Sequence, residues 1–366
     1  MTFRDLNLKI FRREPVDRVL WQPRIEHWYN VNRQEGTLPE RYRDMTLLEV
    51  FDDLGCSVRP YWAFNGCVRI DDDERVARDR RTDGGEDTIT TRTPVGDLVE
   101  VHQRATMSRH PKKYAVVTPD DMKVMEWILR HRRVWFDTAR YEENCALIGV
   151  RAAPSIYLPR INIMRIVIDF MGFENGLTAL FEYPADMESL IRTINETDDA
   201  LLEVVAACPI EIVNYGDNVH QALCPPPVFR QWVLPEYLRR NARLQGAGKK
   251  TYPHWDGDCA QLLPFAQECG FDGYEAITPL PQGDVTLEQV REALGENQIL
   301  VDGIPCTDFL LSEPIESLRE NTRKCIEYFH PYLVLGISDE ISPVGDIERV
   351  RLVSELCAEY AGRMRR

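Results

Sequence analysis

The feature that most constrains this chain is a rhythm. From about residue 145 onward, short apolar runs that read as buried strands alternate with longer segments whose apolar residues recur at helical spacing. The strands are expected at 145–151, 210–213, 249–252, 274–277, 299–302 and 332–337. The helices are expected as a pair over 164–180, then at 184–206, 227–247, around 262–269 with Gly270 as a left-handed cap, and at 287–294, 314–329 and 346–360. Upstream, 19–25 and 56–62 read as two more strands, the second made irregular by Pro60. A helix over 2–18 precedes them, and another over 46–54, stopped by Gly55, lies between them. Eight strands separated by helices predict an α/β fold, a closed (β/α)8 barrel with an N-terminal helical extension. An open doubly wound sheet is the rival. Against it, no Gly-x-Gly-x-x-Gly follows the first strand and no Walker-type loop occurs.

Two stretches break the rhythm. Residues 88–93 and 98–102 alternate polar and apolar around Pro94-Val95-Gly96-Asp97, which predicts a β-hairpin excursion over 86–105. Residues 119–138 read as one helix. With 366 residues, 44% of them hydrophobic, the chain can bury the core of a single large domain.

Charge narrows the function classes. Lys and Arg total 44 against 59 Asp and Glu, a net charge of −15. With no long basic run, nucleic acid is not an expected partner. The short basic runs 78–81 and 130–133 read as solvated faces. No stretch approaches the roughly 18 apolar residues of a membrane span, and the first residues hold no signal-peptide core. A cytoplasmic location is therefore expected. The ten cysteines include no C-x-x-C pair and read as reduced core thiols. A homodimer is compatible with the sequence.

If the barrel forms, the residues just past its strands converge on one mouth. They are Glu26 and His27; Asn214, Asp217 and Asn218; His254, Asp256 and Asp258; Glu275 and Thr278; Asp302; and Ser338, Asp339 and Glu340. Asp and Asn there also cap following helices, the expected role of Asp258 and Asp346. His102, His110, His131, His220 and His330 read as structural histidines. His254 stands apart because His-x-Asp at a strand end sends two acid–base or metal-competent side chains to one side.

On these residues the chain resembles the uroporphyrinogen decarboxylase superfamily of (β/α)8 barrels. The anchors are Asn214-Tyr215-Gly216-Asp217-Asn218, Tyr252-Pro253-His254-Trp255-Asp256-Gly257-Asp258, Gly270-Phe271-Asp272-Gly273, Val301-Asp302-Gly303-Ile304-Pro305 and Gly336-Ile337-Ser338-Asp339-Glu340. The hairpin around Pro94-Val95-Gly96 resembles the methyltransferase branch. The decarboxylase holds its substrate's carboxylates with an arginine-rich segment. The matching place here, Leu20–Tyr29, keeps only Arg24 and gains Glu26, so uroporphyrinogen is not an expected substrate. The thiol-alkylating methyltransferases bind zinc through a His-x-Cys pair and a later Cys. The matching places are His254, Asp256 and Asp339, a set that can still hold Zn²⁺ or a harder divalent ion, or no metal.

The resemblance implies a demethylating methyltransferase. It would move a methyl group from a small donor, such as an aryl methyl ether, to a corrinoid carried by a separate protein. His254, Asp256, Asp217 and Glu340 are then the candidate catalytic groups, and His254, Asp256 and Asp339 the candidate metal ligands. Arg24, His27, Asn214, Asn218 and Glu275 are candidate substrate contacts. Trp28, Tyr29, Trp62 and Tyr215 either form an aromatic wall for the donor or are ordinary core. Two other readings stay open: a decarboxylase of a smaller acid, centred on Arg24 or Arg160, and a non-catalytic barrel that binds a partner.

Overall fold

A computed structural model describes residues 1–105 and 109–364. Among them the chain forms thirteen strands. They are β1 (Leu20–Trp21), β2 (Val68–Asp71), β3 (Ala77–Asp83), β4 (Glu86–Thr93), β5 (Gly96–Arg104), β6 (Arg109–Lys113), β7 (Arg133–Phe136), β8 (Ser155–Leu158), β9 (Ile212–Val219), β10 (Lys250–Trp255), β11 (Gly273–Glu275), β12 (Ile299–Pro305) and β13 (Leu333–Ser338). Seven of these make one parallel sheet in the order β1-β13-β12-β11-β10-β9-β8.

Residues 56–58 bridge the two edges of that sheet. The Ser57 amide donates to the Trp21 carbonyl at 2.8 Å, and the Val58 amide to the Arg151 carbonyl at 3.5 Å. Side chains strengthen the seam: Ser57 Oγ donates to Arg151 O (2.8 Å), and Gln22 Nε2 to Val58 O (2.7 Å). The sheet curls with helices around it, giving the expected α/β, (β/α)8-type architecture. Strand interiors such as Leu300, Val301, Val334 and Leu335 are fully buried, as two-sided burial in a parallel sheet requires.

Several local expectations change. Residues 145–151 are not a strand: Asp137 caps a helix at Thr138–Ile148, and the barrel strand is β8. A short apolar run has no periodicity that separates helix from strand. Past the 56–59 segment, Pro60 opens a helical turn, Tyr61–Phe64. The helix expected around 262–269 is only a 3₁₀ turn at Leu263–Phe265. The 119–138 helix stops at Arg130, and β7 follows. The hairpin is present as β4–β5, inside a four-stranded antiparallel sheet, β3-β4-β5-β6. A separate ribbon pairs β2 with β7. Among the described residues no helix is long and apolar enough to cross a membrane.

Candidate active site

The polar centre of the barrel is Glu275, the last residue of β11 and fully buried. Four donors from four other segments reach it. Arg59 Nη1 donates at 2.5 Å, Tyr157 Oη at 2.6 Å, Asn214 Nδ2 at 2.6 Å, and His254 Nδ1 lies 3.0 Å away. Arg59 also binds both oxygens of Asp302, one at 3.1 Å, and donates to the Gln22 carbonyl at 3.3 Å. Gly336 makes room for this: a Cβ there would collide with the Asp302 carboxylate and press on Arg59.

Burial and charge compete at each group. Burial pushes the Glu275 carboxyl up, but the charges of Arg59 and His254 more than offset it and hold it well below the usual range. Burial pulls the His254 imidazole down, yet its hydrogen bond and ion pair with Glu275 win, and the ring is more basic than an ordinary histidine. Asp302 is pushed up to about 6 by burial, with Arg59 opposing.

Above this network opens a cavity of about 620 Å³, whose wall includes His254, Tyr157, Arg24, Arg160, Asn218 and Glu340. Arg24 forks across the rim to Asp339 (2.6 Å) and Glu340 (2.8 Å). Its guanidinium lies over the Tyr61 ring, 5.6 Å from the centroid, and Tyr61 stacks on Tyr157 at 4.7 Å. Arg160 donates to Asp169 (2.9 Å) and Asn218 (2.6 Å). The backbone is strained at this mouth. Asn218, Ala276, Asp302 and Asp339 all have left-handed φ, between 51° and 84°.

The structure therefore gathers His254, Asn214, Asn218, Glu275, Arg24, Asp339 and Glu340 around one cavity and the network beneath it. The remaining candidates fall elsewhere. Asp217 accepts from the Ile161 amide (2.7 Å) and Tyr237 Oη (2.7 Å), so it anchors a buried loop. Asp256 is not in the wall of the cavity that His254 lines. It lies one residue past the end of β10, where strand alternation no longer sets the direction of a side chain. His27 is exposed. Trp28 Nε1 donates to Gly345 O (3.1 Å), and Tyr29 Oη to Met45 O (2.6 Å), both in the core. Tyr215 is buried edge-on against Phe271, and Trp62 is 38% exposed.

The expected zinc set is not assembled. Asp339 is held by Arg24, Asp256 is not in the cavity wall, and among the described residues no three His, Cys, Asp or Glu side chains are grouped as a metal needs. These residues do not fit a zinc centre. Arg59, Tyr61 and Tyr157 were not foreseen from the sequence. A charged residue closing an apolar run, as Arg59 does after Val58, was the available signal.

No family model matches the chain, and no curated protein matches it. Among solved structures, it is similar to a B12-independent methionine synthase from Shewanella sp. W3-18-1, with 12% identity, TM-score 0.45 and 90% of each chain covered. It is also similar to a putative vitamin-B12 independent methionine synthase from Listeria monocytogenes, with 10% identity, TM-score 0.43, and 95% of this chain and 96% of that one covered. A type I 3-dehydroquinate dehydratase from Clostridium difficile follows at 9% identity and TM-score 0.33, covering 64% and 77%. At such identities and scores none of the three bears on what this chain does.

Proposed function

We propose that the barrel mouth is the active site of an enzyme that takes a methyl group from a small methyl ether, with His254 as the proton donor to the leaving oxygen. The observation that carries this reading is the His254–Glu275 pair. Glu275 fixes Nδ1 and favours the charged ring, which leaves Nε2 as the protonated nitrogen able to meet a bound molecule. When the methyl carbon is taken, its C–O bond breaks and the electron pair stays on oxygen. His254 gives that oxygen its Nε2 proton and leaves as a neutral imidazole. Tyr157, backed by Tyr61, puts an aromatic ring in the cavity wall, and Arg24 and Asn218 orient polar substituents. The superfamily resemblance implies that the methyl acceptor is a corrinoid on a separate protein, which would dock over the open mouth.

The test supplies free cob(I)alamin in place of that protein, with a panel of aryl methyl ethers. Methylcobalamin and the free phenol should form in equal amounts. His254→Gln should slow this by about 10²–10⁴-fold, the usual worth of a positioned general acid. A folded wild-type protein that demethylates no member of the panel would remove the reading.

The two arginines in the cavity favour a second reading, decarboxylation of a small acid. CO₂ would leave and His254 would protonate the carbanion. Arg24 already forks to Asp339 and Glu340, and Arg160 to Asp169 and Asn218, so a carboxylate must displace those partners. That cost ranks this reading second.

A further inference from the structure

Beside the main cavity lies a smaller one of about 210 Å³. Both have Ile70, Pro159, Asp169 and Leu201 in their walls, so they are neighbouring lobes separated by a thin partition. The Arg160–Asp169 ion pair sits at their boundary, since Arg160 lines the first lobe and Asp169 lines both.

The charges in the outer lobe are already committed. Arg165 grips both oxygens of Asp198, at 3.0 and 2.6 Å, and Arg132 donates to Asp72 at 2.9 Å. The rest of the lining includes Ile70, Leu129, Val134, Pro159, Phe170 and Leu201. Three of these come from outside the barrel: Ile70 from β2, Val134 from β7, and Leu129 from the helix Pro119–Arg130. Phe170 and Asp169 sit on a π-helical turn, Ile166–Phe170. Such a turn inserts an extra residue and re-aims side chains, and it is frequent at functional sites. The ribbon and the π-turn therefore line a chamber with an apolar wall and paired charges, next to the more polar main cavity. A ligand site commonly has this division: apolar surface for affinity, a few polar groups for orientation.

We infer that the outer lobe is a subsite for the apolar tail of the substrate. The substrate is then amphipathic, with an oxygen-bearing head near His254 and Arg24 and a hydrocarbon extension reaching past Arg160 and Asp169 beneath β2 and β7. This rests on the mouth being the substrate site, as proposed above, and not on which reaction occurs there.

The experiment is calorimetric titration of the full chain, with no methyl acceptor present, using two series: 4-alkylphenols and 4-alkylbenzoates carrying methyl, propyl or pentyl groups. In one series or both, each added methylene should tighten binding about fourfold until the lobe fills. Val134→Trp occupies the lobe and should abolish this gain while the methyl compound binds as before. Thr197→Phe narrows the same lobe from the helix Pro184–Ala207 and should act likewise, which covers a Val134→Trp chain that does not fold. Affinity independent of chain length in the wild type, an unchanged gain in folded variants, or no binding in either series would overturn the inference. Because turnover is not read, failure of methyl transfer leaves this result standing.

Discussion

The protein holds two buried networks of arginines and carboxylates, and they differ in what completes them. Between the helices Asn162–Arg165, Pro184–Ala207 and Leu234–Gly246, Arg165 and Arg240 meet Asp198, and Arg240 also meets Glu236. Two buried guanidiniums face two buried acids, the half-exposed Arg239 adds a further pair to Glu236, and none of the cations can titrate near neutrality. In the barrel, Arg59 alone faces both Glu275 and Asp302. That set balances its charge when His254 is protonated, or when Asp302, pushed up to about 6, takes a proton instead. The helix network is closed. The barrel network is completed by a proton that can be exchanged, and its exchangeable member borders the cavity. Buried ion pairs alone do not mark an active site. A buried balance that depends on a titrating group at a cavity wall is a pattern active sites share, and it is what supports the reading proposed above.

The largest test of this contrast is a pair of substitutions. Arg59→Met strands two buried carboxylates and should cost about 3–5 kcal/mol in denaturant unfolding. It should also abolish ligand binding at the mouth. Arg240→Met should cost less, because Asp198 keeps Arg165 and Glu236 keeps Arg239, and binding should be unchanged. Loss of binding in Arg240→Met would erase the distinction. A middle-sized effect is expected from Tyr157→Phe, which removes one donor to the Glu275 carboxylate. About 1.5–3 kcal/mol should be lost, the usual worth of a hydrogen bond to a charged group. A cost near zero would mean that another donor replaces the tyrosine.

The smallest effect is the pH dependence. The folded pKa of His254 is raised, so its stabilising contribution is complete below the ordinary value of 6.5 and is lost as pH rises through the raised value. The folded pKa of Glu275 is lowered, so its contribution is present above 4.5 and fades only as pH falls through the lowered value. The stability difference between wild type and His254→Gln should therefore shrink from pH 6 toward pH 9. The difference for Arg240→Met should stay flat over that range. Parallel slopes in the two variants would show that the proton is not what separates the networks.

Much of this was legible in the sequence where one rule acted alone. Runs of buried aliphatic residues gave β9, β12 and β13, and the strand-end rule led to Asn214, His254 and Glu275. Arg59 was missed because its carboxylate partners lie more than two hundred residues away, and pairing at that separation leaves no local pattern. Tyr157 was missed because the strand carrying it had been expected at 145–151. The aromatic wall failed for a chemical reason. Trp28, Tyr29 and Tyr215 bury well anywhere, so their types do not tell a core from a ligand wall. Asp256 lies past the end of β10 and outside the cavity wall, where alternation no longer guides the reading.

The four-stranded sheet β3–β6 has one more consequence. A barrel hides every strand edge, but this sheet ends in β3 on one side and β6 on the other. Open edges invite other chains to add strands and polymerise. Here all seven residues of β3 are exposed, and they include Arg78, Arg80 and Arg81. β6 carries Arg109, Lys112 and Lys113 around Pro111, which has no amide to offer a neighbour. The basic run, solvated as expected, thus places charge on an open edge, the arrangement that discourages strand addition. Exchanging those charges for apolar residues would leave the barrel untouched and put the solubility of the protein at risk.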